Sequence, residues 1–193
     1  MIVCDVDVDD NNSLNTDYNN DLLSDFFNFL YSCAAMLPIA PTTPKIYNAF
    51  MNFFMAFSWL HKIDSINYSN NTISQNDTDL FIWLANIHEK IAPDVFDGPS
   101  LVLKYTQDEL PPSTWGPPAW RLLHALAGRK EEHPNIVRDV LHSLTIILPC
   151  PACREHLPDR ILNEPVPSAS SELSTYLISL HTHINLLRDS VVI

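Results

Sequence analysis

The stretch Ile146–Asp159 reads "IILPCPACREHLPD" and holds two of the chain's four cysteines, three residues apart. Its apolar run stops at Pro149, and Pro151 suits the first position of a new helix with Cys150 as its cap. A cysteine there meets the positive end of the helix dipole and unpaired backbone N–H groups, which favour the thiolate. This placement predicts an exposed Cys150 and, one turn on, a Cys153 facing the bundle interior. A disulfide at this spacing can be attacked at its outer sulfur while the inner one faces a buried electron acceptor. A zinc site of Cys150, Cys153 and His156 is the alternative, although no second cysteine pair completes an ordinary one.

Four cysteines in 193 residues are too few for a disulfide-stapled scaffold. Apolar residues make up 46% of the chain, enough for one sizeable core or two small ones, and three glycines stand against fifteen prolines. With little strict alternation of apolar and polar residues, this composition predicts an all-α protein punctuated by proline. A formal charge of −12 repels phosphate backbones and anionic membranes, so no nucleic-acid and no membrane partner is expected. The start "MIVCDVDVDD" has neither the basic nor the apolar region of a signal peptide, and the expectation is an intracellular protein.

Apolar residues recur at helical spacing in residues 21–36, 45–63 and 77–92, then in 114–127, 134–148 and 171–189. Residues 1–20 form an acidic lead without Lys or Arg, expected to be flexible; 21–92 form a first helical lobe, 93–112 a linker and 113–193 a second lobe. The lobes correspond. At an offset of 93 residues "LFIWLANIHEKI" (Leu80–Ile91) lies over "LSTYLISLHTHI" (Leu173–Ile184), Phe27 under Trp120, Leu30 under Leu123, Tyr31 under His124, and "FSWL" (Phe57–Leu60) under "CPAC". Shared helical periodicity accounts for part of this match, but a constant offset across three helices favours duplication.

In "WGPPAWRLLHALA" Trp120 and His124 stand i, i+4, as do His181 and Asn185 in "LISLHTHIN", so each pair shares a helix face. Both faces could line one flat pocket. The order Trp-Gly-Pro, Trp-x-x-x-His, Pro-Cys-x-x-Cys-Arg-x-His-Leu, Leu-His-x-x-Ile-Asn resembles the Erv/ALR family of FAD-linked sulfhydryl oxidases over about residues 114–189. The resemblance implies an Erv-like four-helix bundle that holds FAD, takes electrons from protein dithiols through the C-x-x-C and passes them to oxygen as hydrogen peroxide. It implies that Cys150 exchanges with substrate, that Cys153 lies against the flavin, and that Gly116, Trp120, His124, His181, Asn185 and Arg188 contact the cofactor. The sequence departs from the family in reading His181-Thr182 for the usual His-Asn, Pro117 for a frequent Arg, and in carrying no second C-x-x-C; Cys4 is a lone residue in the lead.

In the first lobe the reactive cysteines become Phe57 and Leu60, Trp120 becomes Phe27, His124 becomes Tyr31 and Asn185 becomes Ala92, while His181 keeps its type as His88. That half cannot run the reaction. It resembles a degenerate pseudo-Erv lobe in the place of a second subunit, the plan of the baculovirus sulfhydryl oxidases, and the same comparison leaves a homodimer open. A helical interaction protein that keeps the fold is the competing reading. Cys33 is expected to be a small buried apolar residue.

Overall fold

The computed structural model describes residues 10–37, 44–60, 80–91, 110–128 and 135–190. They form the helices α1 (Asp10–Met36), α2 (Pro44–Leu60), α3 (Leu80–Ile91), α4 (Pro112–Gly128), α5 (Ile136–Ile147), α6 (Pro151–Asn163) and α7 (Ser170–Ser190), with no strand among the described residues. The all-α expectation holds. Helix α1 begins at Asp10, so it reaches back into the segment read as an acidic lead. Asp and Asn are favoured where helices start, because their oxygens and negative charge suit the first unpaired N–H groups. The rest of the lead, Cys4 and most of the linker lie outside the described residues.

Each helix buries one face because its apolar residues recur at i, i+3, i+4 and i+7. Phe50, Phe53, Phe54 and Phe57 do this in α2, Val137, Val140, Leu141 and Leu144 in α5, and Phe26, Phe29, Leu30 and Cys33 in α1. Cys33 is thus a core residue, as the sequence led one to expect, and burial pushes its thiol well up while the nearby Arg154 charge opposes that. These faces join with those of α3, α4 and α7 into one continuous apolar core.

The packing follows the 93-residue offset. Helix α1 packs most closely on α4 and α2 on α5, each helix meeting its own counterpart, while α3 packs on α1 as α7 packs on α4. The end of α1 and the start of α2 fall within one residue of the ends expected from α4 and α5 at that offset. Counterpart-on-counterpart contact is the geometry of an isologous interface between two copies. An ion pair crosses it: Arg121 of α4 donates from Nε and Nη2 to the two carboxylate oxygens of Asp25 in α1 at 2.5 and 2.6 Å.

Candidate functional site

The cysteine pair sits where α5 gives way to α6. Helix α5 closes with the Leu148 N–H donating to the Leu144 carbonyl at 3.1 Å, and Pro149 ends the run. Cys150 is extended (φ −90°, ψ 114°) and caps α6, with Pro151 opening the helix. Its Sγ accepts the Cys153 N–H at 3.1 Å. The two sulfurs form a disulfide across a Cα–Cα distance of 5.1 Å, so neither is a thiolate available to a metal in this state. The expected contrast between an exposed Cys150 and an inward Cys153 is corrected: both residues are half-buried, because both pack against the edge of the core.

Arg154, the arginine of the Cys-x-x-Cys-Arg order, has no role assigned by the sequence, yet it brackets Cys150. Its backbone N–H donates to the Cys150 carbonyl at 3.1 Å, and its guanidinium donates to the Leu148 carbonyl on the other side of the cysteine. The signal available was its place at i+4 from the capping cysteine, the position whose N–H closes the first helical turn.

The second group of candidates comes from α4 and α7. The Trp120 ring stacks on His181 with centroids 4.1 Å apart and planes 13° apart. His124 stands 6.1 Å from Trp120 and 6.0 Å from His181. All three are half-buried, as are Asn185 and Gly116. The faces of α4 and α7 thus meet at these three rings. A Cβ added at Gly116 would meet nothing within 4 Å, so the start of α4 is open there. Pro117 and Pro118 have no N–H, which leaves the carbonyls of Ser113 and Thr114 without their i+4 donors. A wall of flat rings with imidazole nitrogens has the shape and polar atoms for a planar heteroaromatic group with polar edges. The side chain of Arg188 lies outside the described residues.

The counterpart of this wall lies in the first half. Phe27 and His88 have centroids 4.3 Å apart and Tyr31 and His88 5.9 Å apart, close to the spacings of Trp120–His181 and His124–His181. Here the rings are enclosed, with Phe27, Tyr31 and His88 exposed by only 0%, 2% and 6%. Phe57, at the position equivalent to Cys150, stacks on Phe26 at 3.7 Å. Burial raises the Tyr31 phenol to about 12. A groove of about 230 Å³ between α2 and α5, lined by Lys45, Asn52, Asp139 and His142 among others, includes none of the candidate residues.

With this geometry in place, comparison with known proteins gives one relative. The chain is 28% identical over 82 residues to the protein named "Putative FAD-linked sulfhydryl oxidase 096R" of Invertebrate iridescent virus 3. The match takes in 38% of this chain and 55% of the relative, so the chain spans about half the length of the curated protein it matches. No family model matches the chain, and no solved structure matches it significantly. The chain is therefore distantly similar to a protein named as a FAD-linked thiol oxidase. No helix among the described residues is long and apolar enough to cross a membrane.

Proposed function

We propose that this chain is a FAD-dependent thiol oxidase that makes disulfides in protein substrates and passes the electrons to oxygen, giving hydrogen peroxide. The observation that carries the reading is the Cys150–Cys153 disulfide at a proline-opened helix N-terminus. The similarity to a protein named FAD-linked supports it. Helix α6 contributes the chemistry of its own end. When a substrate thiolate attacks Cys150, the bond to Cys153 breaks and a mixed disulfide forms; a second substrate thiol then releases the oxidised product and leaves both protein sulfurs reduced. The N–H that Cys150 already accepts and the positive helix end favour its thiolate at that stage.

Trp120, His124 and His181 are the residues that would hold the flavin, with Gly116 and Asn185 beside them and Arg188 a candidate for the phosphates. Bound there, FAD supplies the two-electron acceptor that thiols lack and the centre from which oxygen is reduced. The rings exclude water from one face, and the imidazole nitrogens offer hydrogen bonds to polar ring edges. We read the first half as a pseudo-oxidase lobe that takes the place of a second subunit. The packing of α1 on α4 and α2 on α5, and the matching ring spacings, support that reading.

The direct test is the purified full chain. A yellow protein with close to one FAD per chain, bleached by dithiothreitol without oxygen and recoloured with release of peroxide on adding air, is the expected result. A colourless protein that binds no added FAD and oxidises no dithiol defeats the proposal.

A further inference from the structure

Arg154 is left over when the ring wall and the disulfide have been assigned. It is half-buried, and it holds the backbone on both sides of Cys150. Its N–H takes the Cys150 carbonyl into the first turn of α6, and its guanidinium fastens the Leu148 carbonyl, which belongs to the segment leaving α5. Because Pro149 and Pro151 flank Cys150, neither neighbour has an N–H with which to anchor this segment. The arginine fork supplies donors that the prolines lack. An arginine also stays charged throughout the neutral range, whatever its surroundings.

We infer that Arg154 is the positioning residue of the disulfide: it fixes the entry into α6 so that Cys150 keeps its capping geometry, and it holds a permanent positive charge beside the pair that stabilises the thiolate formed on reduction. The same charge opposes the rise that burial imposes on the Cys33 thiol. The inference rests on the thiol-oxidase reading for its use, since a stabilised leaving or attacking thiolate matters only if the pair exchanges. Its chemistry is that of one equilibrium. The Cys150–Cys153 disulfide takes two electrons from two glutathione molecules, becoming a dithiol as they join in glutathione disulfide. A charge that favours the reduced form makes the pair more oxidising.

The test uses the full chain and the variants Arg154→Met, Arg154→Lys and, as a control charge on the same helix, Arg160→Met. The first readout is the equilibrium constant with a glutathione buffer at pH 7, measured by alkylation and mass spectrometry of the peptide carrying Cys150 and Cys153. The second is the alkylation rate of Cys150 in the reduced chain. Neither needs flavin or turnover, so failure here is distinguishable from failure of the oxidase reading, which flavin content and peroxide release decide. Arg154→Met should shift the equilibrium toward the disulfide and slow Cys150 alkylation, each by about three- to tenfold, the size expected when a thiolate loses one neighbouring cation. Arg154→Lys should fall between it and the parent, because it keeps the charge and loses the fork. Arg160→Met should match the parent. If Arg154→Met folds, as judged by helical circular dichroism, and both readouts equal those of the parent, the assignment is wrong. If Arg154→Met does not fold, Arg154→Lys decides: parent-like values in both readouts overturn the positioning role, and an intermediate shift upholds it.

Discussion

Phe27, Tyr31 and His88 on one side, and Trp120, His124 and His181 on the other, hold nearly the same ring spacings in different surroundings. The first set is sealed in the core with Phe26 and Phe57, and the second is only half-buried. The contrast teaches that ring geometry belongs to the helix arrangement, whereas the capacity to take a ligand depends on what fills the space around the rings. Phe57, which stands 93 residues before Cys150, carries no sulfur and adds buried apolar area to the core.

The largest effect should come from the positions that differ most, Cys150 and Phe57. Cys150→Ser and Cys153→Ser should each lose dithiol turnover to background. Cys150→Ser should also gain a long-wavelength absorbance band, because Cys153 is left as a thiolate beside oxidised flavin, and Cys153→Ser should not. Phe57→Ala should instead cost about 3–5 kcal/mol of stability and leave turnover per bound flavin intact. The same band in both serine variants, or in neither, breaks the assignment of sulfur roles.

The rings themselves sharpen the comparison next. Phe27→Ala truncates a fully buried side chain and should lower the urea midpoint strongly, again by about 3–5 kcal/mol in stability. Trp120→Ala, at a half-buried ring, should cost less stability but reduce the FAD retained per mole. Equal flavin loss in a folded Phe27→Ala chain would mean that both halves hold cofactor.

A smaller effect is expected at the seam. The Arg121 side chain is 58% exposed and Asp25 only 10%, so removing the arginine strands a mostly buried carboxylate. Arg121→Met should destabilise by about 1–2 kcal/mol, discounted for solvent screening on the arginine side. Thermal melts of the full chain measure this, and an unchanged melt would remove the pair as a fastening between the halves.

The smallest effect should appear only in alkali. Burial holds the Tyr31 phenol at about 12, above its unfolded value of roughly 10. Its contribution is therefore complete below pH 10 and is lost as pH rises toward 12. Tyr31→Phe should flatten the fall in stability over that window, measured by denaturant titration at stepped pH. His124→Phe, the equivalent change on the half-open side, should not alter it.

Much of the fold could be read from the sequence because its helices bury single faces: the phenylalanines of α2 and the valines and leucines of α5 keep strict helical spacing. Helix α1 starts earlier than periodicity predicts, since Asp10 to Asn20 carry few apolar residues and give little signal. The cap at Cys150 was legible from its flanking prolines, and the meeting of Trp120 with His181 from two i, i+4 pairs. Exposure of Cys150 was not legible, because it depends on how the α5–α6 corner leans on the core. The role of Arg154 was hidden for a similar reason: its partner is a backbone carbonyl six residues earlier, which no side-chain pattern marks.

The packing of α1 on α4 and of α2 on α5 also sets a timetable for the nascent chain. Asp25 meets an arginine 96 residues further on, so α1 and α2 leave the ribosome well before α4 and α5 exist to pack on them. At ordinary rates of synthesis that interval is on the order of 5–20 s, far longer than the microseconds in which a helix forms. During that interval the aromatic rings of the first half have one another as partners, as Phe26 has Phe53, Phe54 and Phe57, while the faces that meet α4 and α5 wait for theirs. The cysteines of the second half are made only after their shelter is ready.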